Sequence, residues 1–401
     1  MSLTDTPSAE RVHIGFFGMR NAGKSSLVNK ITGQEMSVVS DVKGTTTDPV
    51  RKTMELLPIG PVVIIDTPGF DDVGELGQKR VQKTVEILGL TDIAILVTDA
   101  SREMTSEEKE LIDIFKTKNT PYLVVYNKSD LLDGTVETAE GSIYVSSKTG
   151  ENIYELKEKI GRVVSEAKTT KYLVSDLLSP GDFTILVVPI DESAPKGRLI
   201  LPQQLVIRDL LDHGFAFACC RPSELAEVLS SLKEKPALVI TDSQAFSEVA
   251  KIVPEDVDLT SFSILMARYK GELLRLSEGV GKLGTLKDNA KVLISEGCTH
   301  HRQCNDIGTV KIPKLLRKYT GKDINPEFTS GRDFPLDLKG YDLIIHCGAC
   351  MLNDKEMQRR VELASSFGVP IVNYGIAIAA MNGIFDRSLK PINERLARDS
   401  Q

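Results

Sequence analysis

Residues 12–32, VHIGFFGMRNAGKSSLVNKIT, decide the fold of the first part of the chain. An apolar, partly β-branched run, VHIGFF, passes through a turn carrying Gly18 and Gly23 into SLVNKIT, a segment of helical periodicity. Residues 18–26, GMRNAGKSS, fit G-x-x-x-x-G-K-[ST] and stand where the physics of that motif requires, between a strand and a helix. Gly18 and Gly23 let the backbone curl so that successive amides face a β-phosphate, and the helix N-terminus adds its partial positive charge. Lys24 is placed to span the β- and γ-phosphates and Ser25 to bind Mg²⁺, with Asn21, Ala22 and Ser26 completing the loop. The flanking strand and helix argue against a chance glycine-rich turn.

Outward from this loop, short apolar runs alternate with amphipathic stretches as far as about Ala167: VVIIDTPG, IAILVTDA, PYLVVYNKSD and SIYVSS. That alternation predicts a parallel sheet with crossover helices. Asp66-Thr67-Pro68-Gly69 ends one strand, with Asp66 near the metal and the Gly69 amide near the γ-phosphate. Asn127-Lys128-Ser129-Asp130 resembles the guanine-reading motif of GTPases, in which a carboxylate takes two donors that adenine lacks, so GTP is expected over ATP. Ser146-Ser147-Lys148 resembles the last guanine-contacting motif, and Gly44-Thr45-Thr46-Thr47 the first switch, with Thr46 on Mg²⁺. Lys24, Thr46 and Gly69 are the expected catalytic set. Phe70 stands where many regulatory GTPases carry a water-orienting glutamine, so unaided hydrolysis is expected to be slow. Glu75 and Asp72 are the alternatives for positioning water. Asn21 and the Gly-Thr-Thr switch resemble the potassium-activated GTPases of tRNA modification and ribosome assembly, which implies K⁺ near the γ-phosphate.

The 401 residues allow two or three cores, and three domains are expected: 1–170, 171–268 and 269–401. The fold class expected is α/β, a P-loop GTPase domain followed by two smaller α/β domains with mainly parallel sheets. The first boundary is the stretch KTTKYLVSDLLSPGD, residues 168–182, which breaks the pattern with a Pro-Gly turn. In the second domain FTILVVPI, GFAFACC, PALVITD and FSILMARYK read as strands, and QQLVIRDLLDH, PSELAEVLSSLK and QAFSEVAKI as helices. A helical, glycine-containing connection over about 271–287 leads to strands VLISEG, YDLIIHCG and PIVNYG and a helix, MQRRVELASSFG, ending at Gly368.

A net charge of −7 argues against a surface built for nucleic acid. Neither a signal peptide nor a membrane span is apparent, so a cytoplasmic protein with reduced thiols is expected. Six cysteines without a secretory signal do not suggest a disulfide framework. Cys219 and Cys220 read as core residues, and His13 and His213 show no partners.

Cys298 and His300, then after 45 intervening residues His346-Cys347-Gly348-Ala349-Cys350, bring thiolates and imidazoles to the C-terminal ends of two strands of one sheet. Cys347 and Cys350 can share one iron–sulfur cluster or one ion. A structural zinc on Cys298, Cys347, Cys350 and one histidine would use the same residues. Ligands split between two strand ends suit a cluster crevice better, and a cluster on three cysteines leaves one iron open. His300, His346, Asp306, Cys304 or solvent could fill the fourth position, a histidine or an oxygen donor being favoured. His301 reads as a supporting or surface residue.

This cysteine and histidine pattern, behind a GTPase of that branch, resembles the [FeFe]-hydrogenase maturation GTPases over the whole chain. The resemblance implies a middle dimerisation domain, hence a homodimer, and a C-terminal domain holding a [4Fe–4S] cluster on Cys298, Cys347 and Cys350. It also implies that the protein receives a di-iron precursor built by two radical-SAM maturases and passes it to apo-[FeFe]-hydrogenase. An alternative is a tRNA-modification or ribosome-assembly GTPase with a zinc-stabilised C-terminal domain, for which KIPKLLRKYTGKD, residues 311–323, would be the basic face. A nickel-insertion GTPase would want a histidine-rich stretch, and the chain has five histidines in all.

Overall fold

The computed structural model describes residues 11–33, 50–57, 59–67, 77–132, 139, 141–167, 171–190, 199–297, 306–331 and 333–399. The chain divides into two compact units, Met1–Thr170 and Lys171–Gln401.

The first unit runs β1 (Val12–Phe17), α1 (Lys24–Thr32), β2 (Val50–Leu56), β3 (Gly60–Asp66), α2 (Gly77–Leu88), β4 (Ile93–Asp99), α3 (Ser106–Thr117), β5 (Tyr122–Asn127), β6 (Ser142–Tyr144) and α4 (Ile153–Ala167). Its sheet has the order β2-β3-β1-β4-β5-β6. Every pairing is parallel except β2 on β3. Each residue of β1 is buried, because helices cover both faces of a central parallel strand and its sequence has no polar side to offer. Ile14 and Phe16 pack on one face with Leu27 and Val28 of α1, while Phe17, Ile65 and Leu96 pack on the other with Phe115 of α3. Helix α3 starts at a capping box in which Thr105 and Glu108 satisfy each other's backbone amides. The sequence reading did not find β2, VRKTMEL; it is an edge strand, and its charges interrupt the apolar run.

The second unit opens with β7 (Phe183–Val187), α5 (Leu201–Asp212), β8 (Ala216–Cys220), α6 (Leu225–Ser231), β9 (Leu238–Thr241), α7 (Phe246–Ile252), β10 (Asp258–Ser261) and α8 (Phe262–Tyr269). Helices α9 (Leu273–Glu278) and α10 (Val280–Leu283) connect to β11 (Ala290–Glu296), α11 (Ile312–Thr320), β12 (Ile324–Ser330), β13 (Leu343–His346), α12 (Asp354–Ser366), β14 (Ile371–Asn373), α13 (Tyr374–Met381) and α14 (Phe385–Asp399). Two four-stranded sheets result, β10-β9-β7-β8 and β12-β11-β13-β14. All their pairings are parallel, and one apolar core runs through both.

One expectation is corrected here. FSILMARYK is not a strand but helix α8, started by Ser261, whose side chain accepts the Ile264 amide. Phe262, Ile264, Leu265 and Met266 are all buried, so the helix lacks a polar face and its sequence reads like a buried strand. The strand at this point is the preceding β10. Helix α12 stops at Ser366, and Gly368 beyond it takes a left-handed φ of 66°. Among the described residues no helix is long and apolar enough to cross a membrane.

Candidate functional site

The loop between β1 and α1 forms a cradle that tolerates glycine alone at two points. Gly18 has φ 142°, and a Cβ there would lie 2.1 Å from the Val97 carbonyl oxygen. Gly23 has φ 87°, and its Cβ would meet Asn127 Nδ2 at 2.2 Å. Asn21, exposed, also takes a left-handed φ of 62°. Lys24 is buried, and its Nζ donates to the carbonyls of Gly18 at 3.0 Å and Met19 at 2.9 Å, so the ammonium closes the loop on itself.

Asn127, wholly buried at the end of β5, joins three segments. Its Nδ2 donates to the Ala22 carbonyl at 3.0 Å, and its Oδ1 accepts the Ser147 amide at 3.0 Å. Lys128 follows with φ 67°, and its Nζ lies 2.6 Å from Asp99 Oδ2. Burial alone would raise the Asp99 carboxyl, but hydrogen bonds from Lys128 and Ser101 hold it down to about 2. Asp130 accepts the Ser146 hydroxyl at 2.6 Å, with Lys148 Nζ at 3.9 Å from its other oxygen. The sequence reading missed Asp99, although a carboxylate closing the neighbouring strand β4 was the available signal.

At the end of β3, Asp66 Oδ2 accepts the Ser25 hydroxyl at 2.7 Å, while Asp66 Oδ1 is buried with no hydrogen-bond partner. Burial pushes the Asp66 carboxyl up, and Ser25 and Lys24 oppose that. A buried carboxylate oxygen lacking a donor, beside a hydroxyl on a phosphate loop, fits Mg²⁺. Ser26 is exposed on the first turn of α1. Thr46, Gly69, Phe70, Asp72 and Glu75 lie outside the described residues.

In the second unit β11 and β13 are neighbours, with Ser295 paired to His346. They flank the point where the strand order reverses, the crevice position of an open α/β sheet. The Gly297 amide donates to Cys347 Sγ at 3.0 Å and the Ala349 amide to the same sulfur at 3.4 Å. Cys347-Gly348-Ala349-Cys350 turns through Ala349 at φ 55°, and both sulfurs lie on that turn. Burial pushes both thiols up, Cys350 to about 12, where the neighbouring Cys347 adds to the effect and Lys270 opposes it. Cys298, His300, His301 and Cys304 lie outside the described residues. Among the described residues no group of three or more His, Cys, Asp or Glu is gathered to hold a metal ion.

Two of the expected fourth ligands have other tasks. His346 is wholly buried; its Nδ1 lies 2.9 Å from the Cys347 carbonyl and its Nε2 3.0 Å from Arg360 Nη1. The carbonyl only accepts and the guanidinium only donates, so Nδ1 carries the proton and neither nitrogen is open to a metal. Burial, reinforced by the Arg360 charge, lowers the His346 pKa to about 4. Asp306 caps a π-helical turn, Ile307–Lys311, its Oδ2 accepting from Thr309 N at 2.8 Å and Thr309 Oγ1 at 2.9 Å. Of the cysteines read as core, Cys220 is buried and Cys219 exposed, as side chains alternate along the edge strand β8. His13 faces Asp92, and His213 Nδ1 bonds the Asp209 carbonyl.

Three family models match. Residues 13–128 match the 50S ribosome-binding GTPase model. Residues 173–271 match the hydrogen maturase F dimerization domain and residues 274–391 the hydrogen maturase F tetramerization domain. The last two together cover more than half of the chain. Among curated proteins, the tRNA modification GTPase MnmE of Legionella pneumophila (strain Paris) is 34% identical over 154 residues, 38% of this chain and 34% of that protein. GTPase Der of Kosmotoga olearia is 28% identical over 220 residues, 50% of this chain and 49% of that protein. The chain thus spans a third to a half of the length of these relatives. Among solved structures, Aquifex aeolicus Era is 16% identical with a TM-score of 0.33, covering 60% of this chain and 97% of that one.

Proposed function

The chain belongs to the hydrogen maturase F family, and from that premise we propose that it is a GTP-hydrolysing hydrogenase maturation factor. In this reading the C-terminal part binds a [4Fe–4S] cluster and carries a di-iron precursor from two radical-SAM maturases to apo-[FeFe]-hydrogenase. The amides of residues 18–26 and Lys24 hold the phosphates, Ser25 and Asp66 hold Mg²⁺ with Thr46, and Asn127, Lys128, Asp130 and residues 146–148 hold the guanine. Asn21 faces a potassium ion beside the γ-phosphate. Hydrolysis is slow unaided and acts as a switch, since Thr46 and Gly69 lose their contact when the γ-phosphate leaves.

Cys298, Cys347 and Cys350 hold the cluster, which supplies an open iron for cargo. The observation that carries this is the 3.0 Å hydrogen bond from Gly297 N to Cys347 Sγ. It sets the residue next to Cys298 against the sulfur of the distant pair, and an amide aimed at sulfur suits a thiolate bearing cluster charge. The fourth ligand is His300 or an oxygen donor, because His346 is committed to Arg360.

Anaerobic reconstitution with iron and sulfide, followed by metal analysis and electron paramagnetic resonance after reduction, tests the reading. It expects about four irons per chain and a reduced-cluster signal. One tightly held zinc and no cluster would overturn it in favour of a GTPase with a structural zinc domain.

A further inference from the structure

Arg360 is the largest fully buried side chain among the described residues, and it stands on α12, the helix that begins four residues after Cys350. All three of its donor groups are used. Nε donates to Glu356 Oε1 at 2.8 Å, Nη2 to the Gly331 carbonyl at 2.7 Å and Nη1 to His346 Nε2 at 3.0 Å. Its guanidinium carbon lies 4.9 Å from the centre of the Phe334 ring. His346 passes the contact on, donating from Nδ1 to the carbonyl of Cys347. Glu356 closes the path at the other end, for its amide is capped by Asn353, three residues past Cys350. The turn that carries both sulfurs is therefore gripped at its first carbonyl and at the helix that follows it, and both grips meet on one guanidinium.

A buried ion pair is a costly way to fill a core, where apolar side chains of similar volume often serve as well or better. Its place here suggests a task beyond filling space. We infer that Arg360 is a positioning residue for the cysteine turn, acting through the His346 imidazole on the Cys347 peptide and not on bound metal. The inference rests on the reading of Cys347 and Cys350 as cluster ligands, whose supporting hydrogen bonds govern how tightly such a group is kept.

Full-length Arg360→Lys, His346→Asn and His346→Leu variants are compared with the native chain. Two rates are followed: iodoacetamide labelling of Cys347 and Cys350 in metal-free protein, read by mass spectrometry, and iron loss to a chelator after anaerobic reconstitution. Asparagine can put an amide N–H where Nδ1–H stands but offers Arg360 no acceptor where Nε2 stood, so His346→Asn should fall between the native chain and His346→Leu. His346→Leu and Arg360→Lys should raise both rates about tenfold. Should Arg360→Lys fail to fold, the asparagine and leucine pair still decides. Equal behaviour of those two overturns the inference, whether both resemble the native chain or both fail, and so does a folded Arg360→Lys protein with native rates. A native chain that takes up no cluster sinks the cluster reading by itself, while the labelling rates in metal-free protein still judge the relay.

Discussion

The amide of Gly297 lies 3.0 Å from the sulfur of Cys347, which fastens the end of β11 to the end of β13 across the point where the sheet changes direction. Residues 50 positions apart in sequence thus share one hydrogen bond, and the second cysteine of the pair is three residues further on. Replacing Cys347 by Ser should remove this acceptor together with one of the proposed cluster ligands. Iron bound after reconstitution is expected to fall from about four per chain to a small fraction of that, with GTP turnover within error of the native chain. Full iron occupancy in the variant would show the ligand assignment to be wrong.

Lys24 gives the converse case. Its ammonium rests on the carbonyls of Gly18 and Met19, a seat from which it can meet a β,γ-phosphate without leaving the loop. Lys24→Ala should lower the hydrolysis rate by about two to three orders of magnitude, as loss of one preorganised donor to developing charge does. Iron uptake should be unchanged, because Lys24 belongs to the other compact unit.

Asn21 holds a left-handed backbone on the exposed rim of the same loop. If a potassium ion is seated there, replacing K⁺ by Na⁺ at equal ionic strength should slow hydrolysis by about tenfold, a single favourable charge contact at the phosphates. Asn21→Ala should then hydrolyse at one rate in both salts. Identical native rates in the two salts would remove the ion from the mechanism.

What the sequence disclosed followed from how local the chemistry was. The cradle at Gly18 and Gly23 was legible because conformation, spacing and flanking elements are all written within about twenty residues. The place of Cys347 and Cys350 on one turn after β13 was legible for the same reason. Arg360 was not, because a guanidinium in MQRRVELASSFG reads as the solvated side of a helix, and only the fold puts it against His346. For α8 the difficulty was the reverse: with Phe262, Ile264, Leu265 and Met266 all buried, no periodicity survives to mark a helix. Edge strands such as β2 and β12 escaped because they mix charged and apolar residues along a half-solvated strip.

Helix α13 meets α8 at a contact with no room for a methyl group. The Gly375 amide donates to Ser263 Oγ at 3.2 Å, and a Cβ on Gly375 would stand 2.7 Å from Ser263 Cβ and 2.9 Å from its Oγ. Gly375→Ala should destabilise the second unit by about 1–3 kcal/mol, the usual cost of overpacking. Gly348→Ala, whose Cβ would lie 3.4 Å from the same hydroxyl, should cost less. Chemical denaturation followed separately for the two units checks this, and an unshifted midpoint in Gly375→Ala would mean that the helices are not packed so closely.

Asp99 holds Lys128 at 2.6 Å in the loop proposed to read guanine and is itself bonded twice by Ser101. Its carboxyl stands at about 2 instead of the ordinary 3.8. A depressed carboxylate stabilises the fold fully above its unfolded pKa, and the contribution fades as pH falls through the folded value. The native chain should therefore carry a stability contribution from Asp99 that is constant from neutral pH down to about 4 and lost between there and about 2. Asp99→Asn should lack it, so the difference in thermal midpoint between the two proteins should shrink across that window and be flat above it. The pair is partly exposed, so its strength is about 1 kcal/mol, and guanine nucleotide binding at neutral pH should weaken by about fivefold in Asp99→Asn. Titration calorimetry with GDP at pH 6, 7 and 8 measures the second effect. A ratio of affinities that changes over that range would assign the dependence to another group, and an unchanged affinity would show that Lys128 keeps its place without Asp99.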